Sequence, residues 1–395
     1  MLGVKIKWPL RPESKKIMAN LYSVASCRRV LVVLLIAVLS ACAGGPDQLK
    51  PADLGANPAL LGVRAAWTSK IAPVDFPLQV KVVGTAVTLA GADGAVVSLD
   101  ARSGAPLWRT QVGAPISAGV GSDGRFAAVV TRNNELVVLE AGQVAWRMRL
   151  TAQVFTAPLV AGERVFVMGA DRSVAAFDAR TGRKLWQQQR PGEALVLRQA
   201  GILMAAGNTL VAGLAGHLVG MNPLNGNVVW DAPLASPRGT NDIERLVDLV
   251  AGISRQGNEV CVRAFQTAVG CIDTLGGTVT WKRPAVGAVG LHGDESQVYG
   301  VEGDGRVFAW RSADGEPVWT SDRLRYRELS APLVLGRSVV VGDATGLVHF
   351  LSRADGSPLT RLSTDGSAIL AAPVLAAGTL VVVTRNGGVY GFQPE

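Results

Sequence analysis

The chain keeps rewriting one phrase, and that repetition limits what it can fold into more than any other feature. Phe177-Asp-Ala-Arg-Thr-Gly-Arg-Lys-Leu-Trp186 is nearly duplicated by Leu99-Asp-Ala-Arg-Ser-Gly-Ala-Pro-Leu-Trp108. Looser copies end at Trp146, Trp230, Trp281 and Trp319, and a seventh puts Thr360 where Trp is expected. Successive ends lie 38, 40, 44, 51, 38 and 41 residues apart. A period near 40 residues marks an architecture of stacked units rather than a single element.

One copy, residues 155–187, shows what a unit is. Four short runs rich in Val, Phe and Ala are separated by turns carrying Gly and Asp, the pattern of a four-stranded antiparallel meander. The Asp carboxylate caps its own turn, and the Gly supplies a positive φ. The Trp offers a large apolar plate with an N–H at its rim, suited to an outer position wedged between sheets. One such sheet cannot bury both faces, so it stacks, and a closed stack is a β-propeller. Seven copies carry four strands each. Residues 370–393 supply three more and stop, and the missing strand is found at the other end, in Arg64-Ala-Ala-Trp67-Thr-Ser. The expected fold is all-β: an eight-bladed β-propeller of four-stranded antiparallel blades, with the N-terminal strand closing the last blade and removing a free edge. A β-helix or open solenoid has shorter rungs and no need of that exchange.

Composition agrees with a large β-rich core: 48% of the 395 residues are hydrophobic and 46 are Gly. The formal charge of +8 belongs to the leader. Residues 1–41 hold seven Lys/Arg against one Glu, leaving +2 on the remainder, too little for a nucleic-acid-binding face.

Residues 1–41 read as a signal peptide, in which Arg28 and Arg29 precede the apolar run Val30–Leu39. A start at Met18 gives the more normal length. Leu39-Ser-Ala-Cys42 resembles the lipobox of bacterial lipoproteins, which implies cleavage before Cys42 and lipidation of its sulfur and new amine. Ala43 and Gly44 follow, without the Asp that retains such proteins in the inner membrane, so the periplasmic face of the outer membrane is expected. Residues 42–63, rich in Gly, Pro and Ala, read as a lipidated flexible tether, and 64–395 as the propeller. Of the remaining cysteines, Cys261 and Cys271 flank a hairpin turning near Gln266. They either form a disulfide, which an oxidising periplasm allows, or stay reduced as small hydrophobes.

Two places break the repeat: residues 190–198, and the stretch 235–248 inside the longest period. In the second, Asn241 and Glu244 have the spacing of a capping box. Loops that depart from a rigid scaffold are where such proteins carry function. Catalytic chemistry is not legible. His217, His292 and His349 fall in different blades without ligand spacing, Asp100, Asp178 and Asp355 recur as turn caps, and no nucleophile motif or phosphate loop is present. No metal and no cofactor are expected.

The ten-residue phrase resembles the tryptophan-docking motif of pyrroloquinoline-quinone-type propellers. With the lipobox, Asn241-Asp-Ile-Glu-Arg-Leu-Val-Asp248, and Ser330-Ala-Pro-Leu-Val-Leu-Gly-Arg-Ser-Val-Val-Val-Gly-Asp343, residues 42–395 are similar to the BamB family, lipoproteins of the outer-membrane β-barrel assembly complex. The resemblance implies a non-enzymatic scaffold that binds the POTRA domains of BamA, joins other members of the complex and assists insertion of β-barrel proteins. It places the contact on Leu195, Leu197, Arg198 and Asp248, while Val250 stands where the family has a second acid. Exposed edge strands offer a further surface to unfolded clients. Two other readings remain open: a quinoprotein-like propeller enzyme, which would need convergent polar residues at the hub, and a general cell-envelope interaction module.

Overall fold

Eight four-stranded antiparallel sheets make up the computed structural model, which describes residues 49–190, 196–237 and 246–395. Blades 1 to 7 occupy residues 81–111, 116–149, 159–189, 203–233, 249–284, 291–321 and 333–363. Blade 8 takes three strands from 374–394 and its fourth, Val63–Lys70, from the other end of the chain. That strand pairs antiparallel with Gly388–Pro394, from Val63 against Pro394 to Lys70 against Gly388. The expected closure and blade count are therefore both present.

Strand alternation explains why the central strands read as nearly unbroken apolar runs. In blade 3, Val165, Val167, Ala175 and Phe177 pack on blade 2. Their alternates Phe166, Met168, Val174 and Ala176 pack on blade 4. A strand with period two presents one set to each neighbour, so both sets are apolar and the core lies in the seams between blades. The innermost strand of blade 3 is Leu159–Ala161, and Ala157 to Val160 line the central channel.

The repeated Trp bolts seven of the eight blades to the next. Indole N–H groups of Trp67, Trp146, Trp186, Trp281 and Trp319 donate to the carbonyls of Ala101, Ala179, Pro223, Ser312 and Arg353, each in the last turn of the following blade. The ring lies flat on the Gly of that turn: a Cβ on Gly182 would sit 2.7 Å from Trp146. The Gly is thus demanded twice, by its φ of +74° and by the indole above it. Asp178 shapes the same turn, accepting from the Thr181 N–H and hydroxyl, which hold its carboxyl below the usual range.

Thr360 breaks this series for a topological reason. Blade 8 receives its outer strand from the N terminus, so it has no turn for an indole of blade 7 to dock on. The chain itself covers the place. The stretch expected as a free tether is held from Ala52 onward. Ala52 N–H donates to Arg325 O at 2.9 Å and Leu60 N–H to Leu359 O at 2.8 Å. Leu54 packs into the cluster of Leu324, Leu329 and Leu351. Residues 52–60, inside the stretch read as a tether, have several backbone carbonyls and amides bonded by residues 325–361. Cys42 and the leader lie outside the described residues.

Candidate partner-binding site

The two irregular loops converge on one carboxylate. Asp248, at the end of the longer insertion, accepts the Leu197 N–H on Oδ2 at 2.9 Å. Its Oδ1 lies 3.3 Å from Arg172 Nη1, on a turn of blade 3. Beyond that clamp, Gly201 N–H donates to Thr156 Oγ1 at 2.9 Å, Ala251 N–H donates to Ala200 O at 2.8 Å, and Gly201 bridges Val250. Residues 196–201 are thereby laid across blades 3, 4 and 5 and held at both ends.

What the clamp presents is a half-buried Leu197 and an exposed Arg198, whose guanidinium stands 5.7 Å over the Phe155 ring. Stacking on an aromatic face costs the guanidinium none of its donors, which remain available for a carboxylate or carbonyl. Below lies a cleft lined by Phe155, Met168, Arg172, Leu214 and Asp248. Leu195, the third residue of the expected contact, and the Asn241–Glu244 cap lie outside the described residues.

Asp248 holds this surface together from within. Only 17% of its side chain is exposed, and both oxygens are engaged inside the molecule. Val250 is 1% exposed, in register with Arg263 on the innermost strand of blade 5. A carboxylate there would be buried, so Val suits the position in this chain.

Arg172 escaped the sequence reading, although a signal existed. Its turn needs a left-handed residue, and the same turn uses Gly94, Asn134, Gly216, Gly305, Gly346 and Gly387 in other blades. Arg172 takes φ +62° there, a strained choice for a long side chain. Placing an Arg where the repeat prefers Gly is intelligible once its guanidinium is seen against Asp248.

Cys261 and Cys271 are register partners on adjacent strands, joined by a disulfide across the turn at Gln266. His217 pairs with Asp231 at 2.6 Å. His292 is half-buried, its desolvation pushes its pKa down, and its Nδ1 accepts the Val334 N–H. His349 lies 2.9 Å from Asp343, which also accepts from Arg327 at 2.8 Å. These three sit in blades 4, 6 and 7. The central channel has a volume of about 700 Å³, and its wall is mainly Val, Ala, Gly, Leu and Pro, with Arg198 and Gln199 among its polar members.

Comparison with known proteins adds relatives to this geometry. Residues 92–321 match the family model described as outer membrane protein assembly factor BamB. The chain is 38% identical over 365 residues to the outer membrane protein assembly factor BamB of Burkholderia pseudomallei, covering 91% of this chain and 96% of that one. The crystal structure of BamB from Moraxella catarrhalis superposes with a TM-score of 0.76 at 22% identity, over 84% of this chain and 99% of that one. Quinohemoprotein alcohol dehydrogenase from Comamonas testosteroni superposes at 0.64 with 15% identity, over 87% and 79%, a likeness of fold alone.

Proposed function

The chain belongs to the family of the outer membrane protein assembly factor BamB, and from that premise we propose that it works as a lipid-anchored, non-enzymatic scaffold of the outer-membrane protein assembly machinery. It takes part in assembling β-barrel proteins by binding the POTRA domains of BamA, held at the periplasmic face of the outer membrane through Cys42. Other members of the complex gather on the same assembly.

The observation that carries the reading is the clamp. The described ends of two stretches that the repeat does not require meet at Asp248, beside Leu197 and Arg198. A scaffold that performs no reaction needs such preorganised contact points, since each side chain already ordered saves entropy on binding. In the proposed interface Leu195 and Leu197 are apolar anchors, and Arg198 is the fork that fixes orientation.

Co-purification from solubilised envelopes tests this. Exchanging Leu197 and Arg198 together for Ala is expected to cost roughly 2–4 kcal/mol of binding, enough to lose BamA from the eluate after washing. Asp248→Ala, which touches no partner in this reading, is expected to weaken recovery less, through a loosened loop. Full recovery of BamA with the Leu197/Arg198 double variant would discard the assignment.

A further inference from the structure

We propose that the partner-binding surface continues from Leu197 and Arg198 onto Val286, in the connection between blades 5 and 6, and that both connections touch the same partner. The inference rests on the reading of residues 196–198 as a contact for BamA.

The chain passes from the outermost strand of one blade to the innermost strand of the next always at the same end of the circle. Residues 196–201 belong to one such connection and residues 285–290 to another. Gln199, the residue after Arg198, joins the two: its Nε2 donates to Ala288 O at 2.5 Å.

The second connection is fixed by the same device as the first. On the first, the Asp248 carboxylate accepts the Leu197 N–H and faces Arg172. On the second, the Glu302 carboxylate accepts the Val286 N–H on Oε2, and Arg263 Nη1 donates to its Oε1 at 3.0 Å. The Gly303 N–H donates to Val286 O at 2.6 Å, and the Gln266 N–H to Gly287 O at 2.9 Å. A Cβ on Gly287 would collide with the Arg263 guanidinium, so the chain runs directly over the ion pair. Arg263 is fully buried and Glu302 is 8% exposed, while Nε and Nη2 of Arg263 find no acceptor among the described residues. A buried pair with unmet donors adds little to stability. What it yields is a loop held in one place.

That loop presents an apolar side chain to solvent. Both backbone groups of Val286 are bonded, yet the residue is 60% exposed. Leu107, Val228, Val229, Leu275 and Val318 are also exposed, but they lie on outermost strands or on the turns that enter them. A β-branched side chain on a fixed backbone has little freedom left to lose on contact. The partner that suits this face carries a carboxylate or carbonyl for Arg198 and, beside it, an apolar patch for Leu197 and Val286.

The test is binding of the detergent-solubilised full chain to solubilised BamA, read as Kd by microscale thermophoresis. Val286→Asp is expected to weaken binding about 10-fold without lowering the melting temperature, since the side chain stands in solvent. Val286→Ser, which brings no charge near Glu302, is expected to weaken it about 3-fold. Val286→Leu keeps the contact apolar and is expected to bind as wild type. Leu275→Asp, on a turn at the other end of blade 5, is expected to change nothing. Wild-type affinity in Val286→Asp, with the Leu197/Arg198 double variant impaired, overturns the inference and leaves the loop site standing. Wild-type affinity in both removes the loop site and the inference together. Equal losses for Val286→Asp and Leu275→Asp overturn the inference too, because the place of the charge would then not matter.

Discussion

Asp248 and Asp343 occupy similar surroundings and do different work. Each is turned inward, and each ties a loop to a neighbouring turn through an Arg. Asp343 is fully buried, and burial alone would raise its pKa. Hydrogen bonds from His349, the Leu347 N–H and Arg327 outweigh that and hold it far below 3.8. A carboxyl depressed in the folded state contributes stability that is complete above its unfolded pKa and is lost as the pH falls below about 4. Asp343→Asn is therefore expected to cost about 3 kcal/mol at pH 7 in urea unfolding, since it strips the half-buried Arg327 of its counter-charge. The gap to wild type should narrow steadily below pH 4. A constant gap from pH 7 to pH 3 would show that the charge of Asp343 is not what stabilises. At this scale the sequence was least legible. The family match names Asp248 as a contact but says nothing of the internal bonds its side chain makes.

Among elements, the seam between blades is the unit that repeats, and the Trp is its bolt. Trp186 brings its indole to Pro223 O and its ring onto Gly226. Trp186→Ala is expected to cost about 3–5 kcal/mol, read from the urea midpoint. Thr360→Trp is expected to give no matching gain, because the following blade has no turn carbonyl for the indole to reach. Its bulk should instead displace residues 52–60, seen as faster hydrogen exchange there. A clear rise in stability with those residues still protected would contradict this account of the seventh copy. Blade number and closure were readable from the sequence because seven of the eight seams repeat a turn Gly beneath a Trp in fixed order. The docked segment was not readable: blade 7 binds its carbonyls, and every sequence has those. Arg172 lay between these cases, visible only when the turns of all eight blades are set side by side.

At the scale of the whole molecule, stability is a property of the closed circle. The strand Val63–Lys70 gives blade 8 its outer edge, and Trp67 bolts that blade to blade 1 through Ala101 O. Thr68 sits mid-strand opposite Tyr390. Thr68→Pro removes a ladder donor there and is expected to open the seam locally. Hydrogen exchange should quicken over residues 374–394 and in blade 1, while blades 4 and 5, across the circle, stay protected until global unfolding. Uniform loss of protection in all blades would mean that the circle opens only as one piece. The same closure also sets an order of events. Lys70 meets Gly388 across more than 300 intervening residues, so the first strand among the described residues pairs with the last. Contacts that distant form slowly, and until the final residues arrive the circle has no lock.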